Sequence, residues 1–302
     1  MKIETKSPEG RIVRYWSAKP DGTIVCRLCP KGCVLRPGQT GLCRVRTNVG
    51  GTLYADAYGK ITSIALDPIE KKPLSRFFPG SFILSVGSYG CNFRCAFCQN
   101  WAISQQEAPW RQIEPEDLAA LARQEQSRGN IGVAYTYNEP LVNVEYVLDC
   151  AREIRRSSLK NVLVTNGSIN PEPLAELLPW IDALNIDLKA WDPRFYREIC
   201  RGELNPVLET IRTAAAACHV ELTTLLIPGK NDSEEDILAM AAWIAESDPE
   251  IVWHLSRHHP DYQMTEPPPI RPERMQALAK LARRRNRITI VNTNKRKARL
   301  EI

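Results

Sequence analysis

The 302-residue sequence has no apolar stretch that approaches the roughly 18–20 residues needed for a membrane-spanning helix. Its first six residues contain no apolar core, so they do not read as a secretory signal. Histidine is scarce, with four residues, and the net charge of +5 is too small to indicate nucleic-acid binding by itself. These absences predict a cytoplasmic protein without a membrane partner.

Cysteine, by contrast, is abundant, and seven of the ten residues fall into two tight groups. Clustered thiols in a chain without a secretory signal indicate metal binding in a reducing compartment rather than disulfides. The other three cysteines, Cys150, Cys200 and Cys218, are scattered, and we expect them to be small buried hydrophobic residues.

The group with the more specific spacing is Cys91, Cys95 and Cys98, which follows an apolar strand-like run. The spacing is C-x3-C-x2-C, and neither a histidine nor a fourth cysteine lies close enough in sequence to complete a tetrahedral set. Cubic 4Fe–4S clusters normally take four thiolates, so three thiolates would leave one iron open. An open coordination position is typical of a reactive metal site. A zinc knuckle completed by a distant ligand is the alternative.

The second group, Cys26, Cys29, Cys33 and Cys43, places four thiols within a short segment that also contains several glycines. Four thiolates make a closed site, which fits a structural zinc ion. They fit a second, electron-relaying 4Fe–4S cluster as well. The pattern favours zinc, because closed four-cysteine sites commonly stabilise small loop-rich segments, and it leaves the cluster open.

From about residue 81, β-branched runs alternate with segments of helical apolar spacing, which predicts parallel βαβ units and an α/β fold. Ser233 is placed to cap one helix, Pro115 opens another that ends at Gly129, and a further helix is expected over Pro272–Arg285. The pattern alone suits an open doubly wound sheet or a partial barrel. The expected strands are Phe82–Val86, Ile131–Thr136, Asn161–Val164, Ala183–Leu188, Val220–Ile227 and Ile251–Leu255, with a last strand-like run over Arg287–Val291.

Four regions are expected along the chain: a four-cysteine metal-binding segment (1–60), a connector (61–80), the main barrel (81–270) and a C-terminal helix, strand and basic tail (271–302). The tail carries eight Lys or Arg between Arg283 and Arg299. A charge run of this kind is usually a solvated face. A zinc-ribbon nucleic-acid-binding protein is the alternative of another class, but interleaved aromatic and basic motifs are missing, so we do not expect a nucleic-acid partner.

The loop Gly90–Asn100, with Phe97 before the third cysteine, resembles the cluster loop of radical S-adenosylmethionine (SAM) enzymes, in particular the relatives of pyruvate formate-lyase activating enzyme. The resemblance implies a partial (β/α)6 TIM-like barrel and a 4Fe–4S cluster whose open iron binds SAM. It implies an oxidoreductase-like enzyme that cleaves SAM reductively to a 5′-deoxyadenosyl radical for hydrogen abstraction from an unidentified substrate. It also implies a one-electron reductant such as flavodoxin or ferredoxin.

The same resemblance assigns SAM contacts to residues after successive strands, where barrel active sites are built. Glu139 would accept the SAM ammonium, and Lys189 would reach its carboxylate. From the residues alone, Glu139 also fits a carboxylate at a helix start, and Asp187 and Lys189, on the same side of a strand, fit a salt bridge. No catalytic residue is assigned beyond the cluster ligands. The expected SAM contacts are Phe97, Glu139, Thr165, Asn166, Asp187, Lys189, Ile227 and His259.

Longer motifs narrow the resemblance. Gly41–Arg46, Asp67–Leu74 and Gln99–Trp101 resemble segments of the AmmeMemoRadiSam-system radical SAM enzymes, and the similarity runs over about residues 25–270. That family's name records an association with Memo-like and AMMECR-like proteins, which the resemblance offers as partners. A glycyl-radical enzyme activase is the second hypothesis for function. The activating-enzyme-like core favours it, whereas the extra cysteines precede the cluster loop instead of following it.

Overall fold

The computed structural model describes residues 10–106, 108–283 and 287–291, so the first nine residues and the basic tail after Val291 lie outside the described residues. Within these ranges no helix is both long enough and apolar enough to cross a membrane. The strands are β1 (Arg11–Ile12), β2 (Trp16–Ala18), β3 (Ile24–Cys26), β4 (Val34–Leu35), β5 (Arg46–Val49), β6 (Thr52–Ala55), β7 (Lys60–Ile61), β8 (Ser63–Pro68), β9 (Phe82–Gly87), β10 (Arg111–Gln112), β11 (Asn130–Tyr135), β12 (Lys160–Thr165), β13 (Ala183–Asp187), β14 (His219–Leu226), β15 (Val252–Arg257) and β16 (Arg287–Val291).

The strands form one large sheet and three small ones. The large sheet has the order β16-β15-β14-β13-β12-β11-β9-β8, and the small sheets are β1-β6-β5, β2-β3-β4 and β10-β7. In the large sheet β9 and β11 to β16 are parallel, whereas β8 pairs antiparallel with β9 at the edge. The seven parallel strands curl into a half-barrel. The predicted α/β partial barrel is therefore confirmed.

Helices connect the parallel strands as the βαβ pattern predicts. Ser233 caps the helix Glu234–Ser247 (α7), because its hydroxyl accepts a hydrogen bond of 3.1 Å from the backbone N–H of Asp236. The helix Pro115–Gln124 (α2) continues as a short 3-10 turn, and this turn ends at Gly129, whose φ of 85° lies in the left-handed region. The last helix ends at Ala282, and the expected end at Arg285 lies outside the described residues. The helices are α1 (Trp101–Ser104), α2 (Pro115–Gln124), α3 (Val144–Arg156), α4 (Pro171–Leu177), α5 (Pro193–Phe195), α6 (Asn205–Ala215), α7 (Glu234–Ser247) and α8 (Pro272–Ala282).

The segment expected to be a connector contributes an edge strand, β8, to the large sheet and then returns beneath the barrel. Three of its apolar side chains pack with the inner side chains of β9, β11, β12 and β13. Ile83 and Ala183 lie near the amino ends of β9 and β13. The segment therefore closes the floor of the barrel with an apolar layer: Ile69, Leu74, Phe77, Ile83, Ala134, Val162 and Ala183.

Glu221, on the inner face of β14, fastens the same segment to the floor. Its fully buried carboxylate accepts hydrogen bonds from the backbone N–H groups of Ser75 (2.9 Å) and Arg76 (2.8 Å). The rings of His219 and His254 bond the same carboxylate at 2.9 and 2.5 Å. Burial acts to raise the pKa of Glu221, but these hydrogen bonds hold it well below its usual range. A charged group thus locks the end of the barrel opposite the candidate site.

Candidate active site at the carboxyl ends of the strands

The three-cysteine loop (residues 88–100) leaves β9 at its carboxyl end and is held by backbone hydrogen bonds. The N–H of Arg94 donates to the carbonyl of Cys200 at 2.9 Å, and the N–H of Ala96 donates to that of Ile199 at 3.0 Å. Both acceptors belong to one π-helical turn, Tyr196–Cys200. Such turns are frequent at functional sites, and this one fixes the path of the loop.

A glycine allows the loop to pack closely against the chain that follows this turn. A Cβ atom on Gly202 would lie 2.3 Å from a ring carbon of Phe93, which no real contact permits. The Phe93 ring is 1% exposed and meets Tyr196 edge to face, with 6.1 Å between ring centroids. The aromatic contact therefore depends on the absence of a side chain at Gly202.

Backbone N–H groups point at the thiols of the loop. The sulfur of Cys91 accepts a hydrogen bond of 3.3 Å from the N–H of Phe93 and one of 3.6 Å from the side-chain amide of Asn166. The backbone N–H of Asn100 bonds the sulfur of Cys98 in the same way. Burial raises the pKa of Cys91 well above its usual range and that of Cys98 to about 11. These thiols therefore carry N–H donors that favour the thiolate, against a burial that opposes it.

Cys95 differs from its two neighbours. The thiol of Cys200 donates a hydrogen bond to its sulfur, and this bond, aided by the ammonium of Lys189, lowers the pKa of Cys95. Cys200 is fully buried, as expected for a scattered cysteine, but it also touches the candidate cluster loop, which its position in the sequence did not indicate.

The loop fits the cluster that the sequence predicts. Across the described ranges, no three Cys, His, Asp or Glu side chains gather closely enough to hold a single metal ion. A cube distributes its thiolates over separate irons, so its ligands stand farther apart than the ligands of one ion. Cys91, Cys95 and Cys98 lie near enough for their charges to interact. Their three sulfurs, two with N–H donors and one beside the Cys200 thiol, suit a 4Fe–4S cube.

Glu139 lies in the connection between β11 and β12, beside the three-cysteine loop. Its buried carboxylate accepts hydrogen bonds from the hydroxyl of Thr165 and the backbone N–H of Asn166, both at 2.7 Å, and from the N–H of Leu141 at 3.0 Å. Burial nevertheless raises the pKa of Glu139 to about 7, and the carboxylate of Asp187 adds to the rise. Three of the expected contacts, Glu139, Thr165 and Asn166, are therefore in direct contact, and all lie close to Cys91 through Asn166.

Asp187 and Lys189 form the second polar pair of the site. The Lys189 ammonium donates to the Asp187 carboxylate at 2.8 Å and lies 5.8 Å from the centroid of the Phe97 ring. The lysine side chain is 13% exposed, whereas the aspartate is 35% exposed. Burial acts to lower the pKa of Lys189, but the nearby Asp187 carboxylate raises it well above its usual range. The pair thus holds a permanent ammonium at the carboxyl end of β13.

Asn231 ties the ends of β13 and β14 together. Its amide donates to the carbonyl of Lys189 at 2.7 Å, and its oxygen accepts from the backbone N–H of Ile227 at 2.7 Å. Ile227 is fully buried there. Asn231 follows the predicted strand Val220–Ile227, and no local sequence signal indicates this role.

The two histidines after β15 differ in burial. His258 is fully buried, burial lowers its pKa, and neither of its ring nitrogens has a hydrogen-bond partner among the described residues. His259, the expected SAM contact, is half-buried. The backbone N–H of His258 donates to the carbonyl of Leu226 at 3.2 Å, so this turn lies beside the end of β14.

The four cysteines of the N-terminal segment surround one cavity. Its lining includes Cys26, Cys29, Cys33 and Cys43 together with Asn92 of the three-cysteine loop. All ten cysteines of the chain are free thiols, so none of the four is consumed in a disulfide. The two cysteine groups are distant in sequence, but Asn92 brings the three-cysteine loop into the wall of the four-cysteine cavity.

Comparison with known proteins agrees with this arrangement. The family model of the radical SAM superfamily matches residues 85–241, which are 157 of the 302 residues. An uncharacterised protein of Methanocaldococcus jannaschii is 41% identical over 278 residues, covering 90% of this chain and 81% of that protein. GTP 3′,8-cyclase of Limosilactobacillus fermentum is 30% identical over 48% of this chain and 45% of that enzyme. Isethionate sulfite-lyase activating enzyme of Oleidesulfovibrio alaskensis is 28% identical over 44% of this chain and 43% of that enzyme.

The matches to these two enzymes span less than half of their lengths. Among solved structures, SuiB of Streptococcus suis bound to S-adenosylmethionine superposes with a TM-score of 0.55 at 14% identity, over 69% of this chain and 49% of SuiB. That likeness concerns the fold alone. The family match begins on β9 and contains the three-cysteine loop and the carboxyl ends of β11 to β14, and on this basis the chain belongs to the radical SAM superfamily.

Proposed function

We propose that the protein is a radical SAM enzyme that binds SAM between the three-cysteine loop and the carboxyl ends of β11 to β15. One observation carries the proposal: Asn166 bonds both Glu139, at 2.7 Å, and the sulfur of Cys91, at 3.6 Å. An acceptor for an ammonium and a thiol ligand for iron are thus joined through one residue. Both lie at the edge of a half-barrel where active sites of such folds are built.

Membership of the superfamily implies a 4Fe–4S cluster and SAM. Cys91, Cys95 and Cys98 would hold three irons of the cluster. When bound, the cluster would supply one electron for reductive cleavage of the SAM carbon–sulfur bond, which would give methionine and a 5′-deoxyadenosyl radical able to take hydrogen from a substrate C–H bond. The protein's own part is to bind, orient and exclude water.

The side chains divide this work by their chemistry. Glu139 would accept the SAM ammonium, with Thr165 and Asn166 fixing its carboxylate. Lys189, oriented by Asp187, would donate to the SAM carboxylate. The remaining expected contacts would enclose the nucleoside, with Phe97 and Ile227 beside the adenine and His259 near the ribose.

An anaerobic assay tests the proposal directly. The protein is reconstituted with iron and sulfide, reduced with dithionite and supplied with SAM, and 5′-deoxyadenosine is measured. We expect product from the wild-type protein and none from Cys95→Ala. Cys218→Ala is the matched control, because that thiol lies outside both cysteine groups and bonds the carbonyl of Ala214 at 3.6 Å. Absence of product from a wild-type protein with a full complement of iron would contradict the proposal.

A glycyl-radical enzyme activase is the second candidate, and the similarity to isethionate sulfite-lyase activating enzyme favours it. In this case the hydrogen comes from the α-carbon of a glycine in a partner enzyme. The test is to incubate the reduced, SAM-loaded protein with a glycyl-radical enzyme and look for a glycine-centred radical by electron paramagnetic resonance (EPR). SAM cleavage without that radical, across the glycyl-radical enzymes of one organism, would favour another substrate.

The narrower family assignment also belongs to this proposal. We infer an AmmeMemoRadiSam-type enzyme that works in the cytoplasm with a one-electron donor such as flavodoxin or ferredoxin and with a Memo-like or AMMECR-like partner. The long motifs around Cys43 and Asp67 support it. In the same proposal the four N-terminal cysteines bind a metal, for which the sequence leaves zinc and a second cluster open. Co-purification of a tagged chain with such a partner, lost on mixing with untagged chain, tests the association.

A further inference from the structure

Building on the function proposed above, we propose that Cys26, Cys29, Cys33 and Cys43 hold a second 4Fe–4S cluster, and that Asn92 connects it to the three-cysteine loop for electron delivery. This assigns a redox role to the N-terminal segment and reverses the preference for zinc that the sequence pattern gave. Three features support this assignment: the residues that line the cavity, the donors that face its sulfurs and the residue that forms its shared wall.

Among the residues that the structure describes, sulfur is the only metal ligand in the wall of the cavity. No Asp, Glu or His of that part of the chain lines it, and the rest of the wall is largely apolar, with Leu28, Leu35 and Val142. Gly41 lies between two of the thiols, since a Cβ atom there would be 3.7 Å from the sulfurs of both Cys33 and Cys43. Soft thiolates in an apolar enclosure select iron–sulfur clusters, zinc or copper(I) among metals.

The sulfurs carry the same backbone donors as those of the three-cysteine loop. In three cases the backbone N–H of the residue two positions after the cysteine bonds the sulfur. These donors are Leu28 for Cys26, Lys31 for Cys29 and Val45 for Cys43. Phe93 bonds Cys91 with the same spacing, at 3.3 Å. Hydrogen bonds to the sulfurs are one of the factors that set the reduction potential of a cluster. The two cysteine groups are therefore presented to a metal in the same manner.

The arrangement of the thiols suits a cluster. All four thiols line one cavity, and no other type of metal ligand is among the described residues of its wall. A cube, with one thiolate on each iron, occupies the centre of such a ring of sulfurs.

Asn92 forms the wall between the two sites. It follows Cys91 in the chain and lines the four-cysteine cavity, and its side-chain amide is near enough to the Cys29 thiol to oppose the rise in the pKa of Cys29 that burial causes. The same side chain donates to the carbonyl of Ser168 at 2.7 Å and accepts from Asn166 at 2.9 Å, so its position is fixed. A ligand of one centre and the residue next to a ligand of the other thus lie side by side at this wall. A zinc ion has no redox chemistry, so with zinc at this site the contact would carry no electron transfer.

A buried cation lies beside the proposed cluster. The guanidinium of Arg46 is 1% exposed, bonds Glu145 at 2.5 Å and the carbonyl of Val142 at 3.2 Å, and lies near Cys26 and Cys43. A cation close to the thiolates favours the added negative charge of the reduced cluster. An external one-electron reductant would give one electron to the N-terminal cluster. That cluster would return to its oxidised state by passing the electron to the cluster of the three-cysteine loop. No proton is transferred, and no covalent bond forms or breaks.

The first test separates the two sites by composition. The full chain and two variants, Cys29→Ser/Cys33→Ser and Cys91→Ser/Cys95→Ser/Cys98→Ser, are reconstituted with iron and sulfide in the presence of equimolar zinc. We expect wild type to hold about twice the iron and sulfide of either variant, and each variant to give the EPR signal of a reduced 4Fe–4S cluster. Cys218→Ala should match wild type. Zinc without iron at the N-terminal site in the three-serine variant would overturn the proposal.

The second test measures whether the two clusters interact and exchange an electron, rather than how much iron and sulfide the protein holds. If both clusters are reduced and adjacent, their spins interact, so the wild-type EPR spectrum should differ from the sum of the two single-site spectra. Asn92→Leu, which keeps the branched skeleton of the side chain but removes the amide, should retain both clusters and slow the reduction of the SAM-binding cluster by reduced flavodoxin in rapid freeze-quench EPR. A spectrum equal to the sum, or an unchanged reduction rate, would overturn the relay.

The outcomes also distinguish this inference from the proposed function. If dithionite supports SAM cleavage in a chain whose N-terminal site holds zinc, the enzyme proposal stands and the second cluster does not. If both clusters form and interact but no 5′-deoxyadenosine appears, the second cluster stands and the proposed function fails.

Discussion

Asn166 connects a carboxylate to a thiol: its backbone N–H donates to Glu139 at 2.7 Å, and its side-chain amide donates to the sulfur of Cys91 at 3.6 Å. An ammonium bound by Glu139 would therefore lie within one residue of the proposed cluster. The bond to Asn166 also limits how far the carboxylate can move. Position and chemistry together make Glu139 the most informative residue to change.

Glu139→Gln is expected to weaken SAM binding about tenfold to hundredfold, because a hydrogen bond to a charged group contributes about 1.5–3 kcal/mol. Equilibrium dialysis with iron-reconstituted protein measures the effect. The iron content should not change, since Glu139 supplies no thiolate. Loss of iron together with SAM binding would show instead that the side chain supports the loop.

The pH dependence of SAM binding follows from the same carboxylate. Burial raises the pKa of Glu139 to about 7, so below that pH the free site carries a proton that an ammonium must displace. SAM affinity is therefore expected to fall about tenfold for each pH unit below 7 and to level off above it. Glu139→Gln should show no such slope. A wild-type affinity that stays constant from about one pH unit above this pKa to about one unit below it would contradict the assigned role.

Lys189→Met, which keeps the length of the side chain but removes its charge, is expected to reduce SAM affinity about tenfold or more. Lys189→Arg should restore part of the loss. Lys160→Met is the matched control, because Lys160 bonds Asp182 at 3.2 Å at the start of β12, away from the strand ends. Equal losses in the two Met variants would mean that stability rather than SAM recognition is affected. Isothermal titration calorimetry separates these cases when combined with melting curves.

The strands and the ligand loop were predictable because their signals are local. The observed bounds of the six predicted strands lie within two residues of the expected ones, since β-branched runs and the helices between them repeat regularly. Ser233 and Pro115 likewise mark helix starts by chemistry that involves only their neighbours. Elements of this kind depend little on the rest of the chain.

Contacts between distant segments could not be predicted. Ser75 and Glu221 are 146 residues apart in sequence, and nothing around either one indicates the other. Cys200 reads as an ordinary buried cysteine until the fold places it against Cys95. The edge strand β8 was missed because its side chains do not alternate cleanly between apolar and polar and Pro68 ends it. In each case the tertiary partner, not the local pattern, decides the structure.

Gly202→Ala is expected to displace the three-cysteine loop, because the added methyl group would overlap the ring of Phe93. The reconstituted variant should retain less iron at the loop and lose SAM cleavage. Phe93→Leu in the same chain makes room for the methyl group and should restore part of the iron. If Gly202→Ala alone keeps full iron and activity, the close packing of the loop is not required for its function.

Glu221→Gln is expected to lower the free energy of unfolding by about 3 kcal/mol at pH 7, since it disrupts a buried, hydrogen-bonded charge. The depressed pKa of Glu221 means that its contribution is present above the unfolded value, about 4.3, and is lost as the pH falls below it. The difference between wild type and variant in the free energy of unfolding, measured with urea, should therefore become smaller in acid. The free energy of unfolding of Glu209→Gln, on the exposed face of α6, should stay within about 0.5 kcal/mol of that of wild type both at pH 7 and in acid.

SAM binding should survive in Glu221→Gln while the protein is folded, because this carboxylate lies at the floor of the barrel and not at the strand ends. A difference in the free energy of unfolding that does not change with pH would mean that Gln disturbs packing rather than charge.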